Sequence, residues 1–252
     1  MCYTESSIEQ WAHCGLKGDP NMKRVLLKLS GEALAGEKHT GFDEATVLGV
    51  AKQVKTLVDD GIQVGIVIGG GNFWRGRTSE NMERTKADQI GMLATVMNCI
   101  YTSEIFRSIG MKTQVFTPFV CGGFAKLFTK DEAVAFLEEG GVAFFAGGTG
   151  HPYFSTDTGT TLRAIEIEAD VILLAKAIEG VYDSDPHVNS EAKKYDEISI
   201  AEVVDKRLAV MDLTASIMCM ENKMPMLVFG LEGENSIVDT VRGKFNGTRI
   251  TV

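Results

Sequence analysis

The stretch VAFFAGGTGHPYFSTDT, residues 142–158, decides how this chain is read. Five apolar residues, Val142 to Ala146, run into Gly147-Gly148-Thr149-Gly150, and Ser155-Thr156-Asp157 opens a helical stretch. A second apolar run, DVILLAK (170–176), leads into the polar turn EGVYDSDP (179–186). The order is strand, glycine- and hydroxyl-rich loop, helix, strand, turn. Glycines bring backbone N–H groups close to an anion with no Cβ in the way. The helix that follows turns its positive end to the same place. A phosphorylated ligand is the expectation.

The same alternation runs outward from this segment. Val25–Leu29 is an apolar strand broken by Lys28. Asp43–Asp60 carries a helical stripe (Val47, Val50, Ala51, Val54, Leu57, Val58) and stops at Gly61. Ile62–Ile68 is the next strand, followed by Gly69-Gly70-Gly71-Asn72. Thr85–Ile109 is a long helix with Ile90, Leu93, Ala94, Met97, Tyr101, Ile105 and Ile109 on one side. Further strands are predicted at Lys112–Phe116, Val171–Ala175, Met226–Phe229 and Thr248–Thr251. Further helices are predicted at Lys130–Glu139, Asp157–Glu168, Ile200–Lys206, Asp212–Asn222 and Ser236–Arg242.

Strands alternating with helices predict an α/β fold, a mostly parallel sheet sandwiched by helices. No low-complexity linker divides the chain, so residues 22–252 are read as one domain of two lobes, the N-terminal for an acceptor and the C-terminal for a donor. Residues 1–21 have neither a basic n-region nor an apolar h-region and are expected to be a disordered extension or an upstream start before Met22.

Composition narrows the function. A net charge of −9 argues against a nucleic-acid partner, whose footprint would be basic. No apolar run approaches the ~20 residues of a membrane span. Five scattered cysteines with no Cys-x-x-Cys pair point to a reducing, cytoplasmic compartment. The four histidines are too dispersed for a metal site. There is no Gly-x-x-x-x-Gly-Lys-Ser/Thr, no Gly-x-Gly-x-x-Gly after a strand and no Gly-x-Ser-x-Gly. Phosphate chemistry here needs another architecture.

Several residues carry two readings. Lys28, two residues before Ser30-Gly31, either meets an anion or lies on an edge strand and reaches solvent. Gly69 to Asn72, with Arg75 and Arg77 beyond, is either a second anion cradle or a flexible turn with solvated arginines. Asp88 is a ribose acceptor or an acid favoured by the helix dipole. Asp157 is an N-cap or an acid that orients cations around a phosphoryl group. Tyr182 and Asp185 either hold a base and its sugar or form an ordinary Asp-Pro turn.

Five segments in this order resemble the amino acid kinase family, and within it the branch that phosphorylates UMP. They are LLKLSGEAL (26–34), VIGGGN (67–72), GMLATVMN (91–98), GTGHPYFSTD (148–157) and VMDL (210–213), and the resemblance spans Met22 to Val252. It implies a three-layer αβα fold and transfer of the ATP γ-phosphoryl to UMP, giving UDP for pyrimidine nucleotide biosynthesis. Carried onto this chain, it implies ATP contacts at Lys28, Leu29, Ser30, Gly31, Gly71, Arg75, Tyr182 and Asp185. It implies UMP contacts at Gly70, Asp88, Thr149, Gly150, His151, Pro152, Tyr153, Phe154, Ser155 and Thr156. Lys28, Arg75, Asp157 and Asp212 would be catalytic, Asp212 either helping to place Mg2+ or acting as a plain N-cap.

The family uses Mg2+ with ATP, and no side chain here is assigned as its direct ligand. Family members are typically homohexamers, and many respond to GTP and UTP. The GTP segment corresponds to Gly36, Glu37, Lys38, His39, Thr40 and Gly41, for which a mobile loop is the other reading. Acid kinases of the fold, such as acetylglutamate kinase, carry a second lysine where this chain has Asp212, which disfavours a carboxylate acceptor. Glu179 and the pair Lys176-Ala177 depart from the family pattern and leave the adenine side open.

Overall fold

Alternation along one strand organises the molecule. In β1 (Arg24–Leu29) the side chains of Val25, Leu27 and Leu29 enter one core and that of Leu26 enters another on the opposite face of the sheet. Lys28, two residues on, shares the face of Leu26. This is a computed structural model, and it describes residues 22–38, 40–74, 82–244 and 246–252. The extension 1–21, His39, Arg75 and Arg77 lie outside the described residues.

The remaining strands are β2 (Gln63–Ile68), β3 (Thr113–Thr117), β4 (Lys126–Leu127), β5 (Val142–Phe145), β6 (Val171–Lys176), β7 (Val181–Tyr182), β8 (Lys194–Tyr195), β9 (Glu197–Ser199), β10 (Met226–Gly230) and β11 (Thr248–Thr251). The helices are α1 (Gly31–Leu34), α2 (Glu44–Asp59), α3 (Arg84–Ser108), α4 (Lys130–Glu138), α5 (Thr156–Glu166), α6 (Ile200–Asp205), α7 (Leu213–Glu221) and α8 (Ser236–Val241). Nine strands form one sheet in the order β4-β3-β5-β2-β1-β6-β10-β11-β9, and β7 pairs with β8 in a separate hairpin. All neighbours in the large sheet are parallel except β10 and β11.

Helices cover both faces, as a parallel sheet requires. Val47, Val54 and Leu57 of α2, Cys99 and Phe106 of α3 and Ile237 of α8 pack on the Leu27 face. Ala133 and Leu137 of α4, Ala164 of α5, Val203 of α6 and Cys219 of α7 pack on the Leu26 face. The helix ends follow local chemistry. Asp43 caps α2 and Thr129 caps α4, each accepting a backbone N–H three residues on.

The apolar side of α3 divides along its length. Tyr101, Ile105 and Ile109 pack against the core, but Ile90, Leu93 and Met97 are 36%, 52% and 47% exposed. The N-terminal half of α3 buries Ala87, Ala94, Thr95 and Asn98 instead, because polar groups are needed there to hold the loops of the site.

In open parallel sheets ligands bind beyond the carboxyl ends of the strands, where neighbouring connections diverge. β1 is flanked by β2 on one side and β6 on the other, so that crevice opens at Lys28.

Candidate active site

The loops after β1 and β2 touch through glycine. A Cβ at Gly31 would lie 2.4 Å from both the Gly69 carbonyl oxygen and Asn72 Oδ1. A Cβ at Gly70 would lie 2.9 Å from the Gly91 carbonyl oxygen on α3. Both positions therefore require glycine for backbone approach. Ser30 caps α1, its Oγ accepting from the Ala33 N–H at 3.4 Å. Leu29 is fully buried in the α2 face, and its carbonyl already accepts from Gly69 N at 3.0 Å.

Asn98 of α3 holds the second loop. Its Nδ2 donates to the Gly69 carbonyl at 2.6 Å and to Asn72 Oδ1 at 2.8 Å. Asn72 Nδ2 donates to Asn98 Oδ1 at 3.0 Å and to the Gly41 carbonyl at 2.8 Å. Thr40 Oγ1 donates to the Asn72 carbonyl at 3.0 Å. Thr40 and Gly41 are thereby joined to the glycine loop.

Across the crevice stands the loop from Gly147 to Ser155. Gly147 N donates to Thr95 Oγ1 at 2.7 Å, which fixes the loop to α3. Between the two walls lies a cavity of about 210 Å³. Gly70, Gly71, Trp74, Asp88, Met92 and Thr95 line one side, and Gly147 to Thr149, His151 and Phe154 to Thr156 the other. Gly150, Pro152 and Tyr153 shape the loop but do not line the cavity. Gly150, at φ +82, packs on Pro118. Tyr153 sits at φ 72 with its side chain turned outward, 65% exposed.

That left-handed tyrosine is held in place. Tyr153 N donates to Asp88 Oδ2 at 2.8 Å, and Arg84 Nε donates to the same oxygen at 2.7 Å. The Arg84 guanidinium also stands 5.3 Å from the Tyr153 ring centroid. Asp88 and Arg84 thus latch the loop to the start of α3.

Charge gathers at the start of α5. Ser155, not Asp157, is the N-cap, its Oγ accepting from Asp157 N at 3.0 Å and Thr158 N at 3.2 Å. The Asp157 side chain is free of capping and meets Lys28, with Nζ to Oδ1 at 3.0 Å. The Asp212 carboxylate caps α7 through Ala215 N at 2.9 Å, and it also accepts from Thr158 Oγ1 at 3.1 Å and from Ser155 Oγ. It joins the starts of α5 and α7.

Tyr182 and Asp185 lie apart from the cavity, on the β7–β8 hairpin. The Tyr182 hydroxyl donates to Glu179, and Asp185 Oδ1 accepts from His187 N at 2.9 Å in an Asx turn. Among the described residues no three His, Cys, Asp or Glu side chains form a metal cluster. Burial pushes the Cys99 thiol up to about 12 and the Cys219 thiol up to about 11, so neither is a nucleophile near neutral pH.

Sequence reasoning missed Trp74, Arg84, Thr95 and Asn98. Thr95 and Asn98 had a signal: polar residues three apart, on a helix otherwise read by its apolar side. Arg84 and Asp88 stand at the i, i+4 spacing of a helix ion pair. Trp74 had no local signal.

Known proteins share this fold. The amino acid kinase family model matches residues 23–230. A UMP kinase from Bacillus anthracis superimposes with a TM-score of 0.87 at 35% identity, over 91% of this chain and 96% of that one. A UMP kinase from Ureaplasma parvum superimposes with a TM-score of 0.87 at 33% identity, over 92% of this chain and 100% of that one.

Proposed function

The chain belongs to the amino acid kinase family, and from that premise we propose that it transfers the γ-phosphoryl of ATP to UMP, giving ADP and UDP for pyrimidine nucleotide biosynthesis. One observation carries this reading: the Lys28–Asp157 pair stands one residue beyond Thr156, at the edge of a cavity walled by two glycine loops. The whole-chain likeness to two UMP kinases supports the choice of acceptor.

In the reaction an oxygen of the UMP phosphate bonds to the γ-phosphorus as the bond from that phosphorus to the β–γ bridging oxygen breaks. The acceptor oxygen is already ionised near neutral pH, so no general base is needed. Positioning and charge neutralisation supply the rate. Lys28 neutralises donor phosphate oxygens, and Asp157 orients its ammonium. Asp212 positions the α5 start through Ser155 and Thr158. Gly70 and the loop Thr149 to Thr156 hold UMP, while Ser30, Gly31 and Gly71 approach ATP with backbone N–H groups. Among the described residues both bonds to Asp88 use Oδ2, which leaves Oδ1 to a ribose hydroxyl. Tyr182 and Asp185 serve the adenosine side, and Arg75 the phosphates.

The acidic groups suit Mg2+ brought in with ATP. Mg2+ is commonly held by one or two carboxylates together with substrate phosphates. Asp157 meets this need with an oxygen beyond the one facing Lys28, whereas Asp212 is taken up by three protein donors. Bound there, the ion would neutralise charge on the phosphates.

Three finer readings have support of their own. A response to GTP and UTP is supported by the hydrogen bonds that join Thr40 and Gly41 to Asn72. Assembly as a homohexamer is supported by the outward stripe Ile90, Leu93, Met97 and Ile100. A reducing, cytoplasmic setting is supported by the free thiols of Cys99, Cys121 and Cys219. Among the described residues no helix is long and apolar enough to cross a membrane.

The deciding experiment offers ATP-Mg2+ with UMP, CMP, dTMP, AMP or acetylglutamate and measures ADP release. UMP is expected to be the preferred acceptor. Preference for acetylglutamate, or no turnover with any acceptor, would sink the kinase assignment as stated. Repeating the assay with GTP and UTP tests the effectors, and a monomeric sedimentation mass would remove the hexamer.

The Arg84 latch makes a separate prediction. Arg84→Ala should raise KM for UMP about tenfold while kcat stays within about threefold, because it loosens ground-state holding of the acceptor loop. A fall in kcat with unchanged KM would show that the latch acts elsewhere.

A further inference from the structure

Lys176 ends β6 on the same face of the sheet as Lys28. The parallel register pairs Lys28 with Leu174, and residues two apart on a strand share a face. Leu26, Ile172 and Leu174 of that face are core. Lys28 and Lys176 are where this apolar layer stops and the site begins. On the other side β10 contributes Gly230, opposite Lys176 in register, and so no ionisable group.

The Lys176 ammonium is seated but not neutralised by its hydrogen bonds. Nζ donates to the Ala209 carbonyl at 3.2 Å and to the Val210 carbonyl. Carbonyls satisfy donors without cancelling a charge, and an ammonium has three donors. Among the described residues, the charged groups that act on it are Lys28 from β1 and Asp157 from α5, with Asp212 two residues past the Val210 carbonyl. Asp212 is engaged by Ser155, Thr158 and Ala215. Asp157 is bonded to Lys28, and among the described residues no carboxylate is bonded to Lys176. A cation kept there is costly unless an anion arrives.

We propose that Lys176 is a second phosphate-binding ammonium of the transfer site, meeting donor phosphate oxygens from β6 while Lys28 meets them from β1. This rests on the kinase reading above. The free protein is consistent with it: burial holds the Lys176 ammonium below the ordinary lysine range, Asp157 opposes that, and Lys28 adds to it. Binding of a polyanion relieves the same strain.

The test uses the full chain with ATP-Mg2+ and UMP, comparing wild type, Lys176→Met and Lys176→Arg. Methionine keeps length without charge and should lower kcat roughly 100-fold, the size of loss for one preorganised donor. KM for UMP should change by less than about threefold, since the acceptor cavity is untouched. Arginine stays charged at every accessible pH. In wild type the free enzyme loses the Lys176 charge as pH rises through its lowered pKa, so kcat/KM for ATP should fall at alkaline pH, and Lys176→Arg should move that limb upward. A kcat for Lys176→Met within about threefold of wild type overturns the proposal. If Lys176→Met does not fold, the arginine profile decides alone: a shifted limb supports the role, and an unmoved limb overturns it. Wild type separates the two readings. No UDP from wild type sinks the kinase assignment, whereas active wild type beside an equally active Lys176→Met sinks only the role of Lys176.

Discussion

Lys28→Ala is expected to lower kcat about 1,000-fold, with the protein still folded. Phosphoryl transfer asks for little covalent work, so the loss of one preorganised cation falls almost wholly on the transition state. The side chain is 16% exposed and sits where the crevice opens between β2 and β6. Its removal leaves Asp157, 24% exposed, without its partner. That carboxylate lies in the first turn of α5, where the helix dipole favours it. The stability loss should therefore be about 1–2 kcal/mol, between exposed and buried pairs. For a chain of this size that corresponds to a fall in Tm of about 2–8 °C. Steady-state kinetics and a thermal melt on the same preparation check both numbers. Near-normal turnover would refute the role given to Lys28.

Asp157→Asn should lower kcat about 100-fold, through charge and not through shape. Asparagine keeps the size of the side chain and the backbone cap made by Ser155, so α5 should start where it does now. What changes is that Lys28 loses its bonded carboxylate and Lys176 loses a favourable charge nearby. Lys176 loses the neighbouring charge that favours its ammonium, so the alkaline limb of kcat/KM should move to lower pH. The double variant Lys28→Ala/Asp157→Asn should be less than about threefold slower than Lys28→Ala alone, because groups acting as a unit are not additive. A double variant whose loss is the product of the two single losses would mean that Asp157 does not work through Lys28.

Most of the regular structure was legible from residue order. The apolar runs ending at Leu29, Ile68 and Phe145 and the striped helices α2 and α5 fall within two residues of where pattern places them. The elements that escaped (α1, β4, β7, β8 and β9) have two to four residues each, less than a pattern needs to repeat. The site was legible at its loops, because glycine before a helix start has few other uses. It was not legible at the side chains that hold those loops. Asn98 and Thr95 sit in the middle of α3, and only the approach of that helix to Gly69 and Gly147 shows what they bond. The outward stripe from Ile90 to Ile100 was not legible for the same reason: apolar spacing reports a helix, not which side of it faces the core.

By itself the sequence determined the longer strands and helices, the glycine loops at the strand ends and the family to which they belong. All of these depend on near neighbours: the two-residue and 3.6-residue periods, and the turns that only glycine allows. The tertiary structure alone decided that Lys28 meets Asp157, that Ser155 and not Asp157 caps α5, that Asp88 and Arg84 latch Tyr153, and that Lys176 closes the same face. Those pairings depend on strand order. β1 lies between β2 and β6, so segments far apart in the chain converge on one crevice, and no local pattern encodes which side chains meet there.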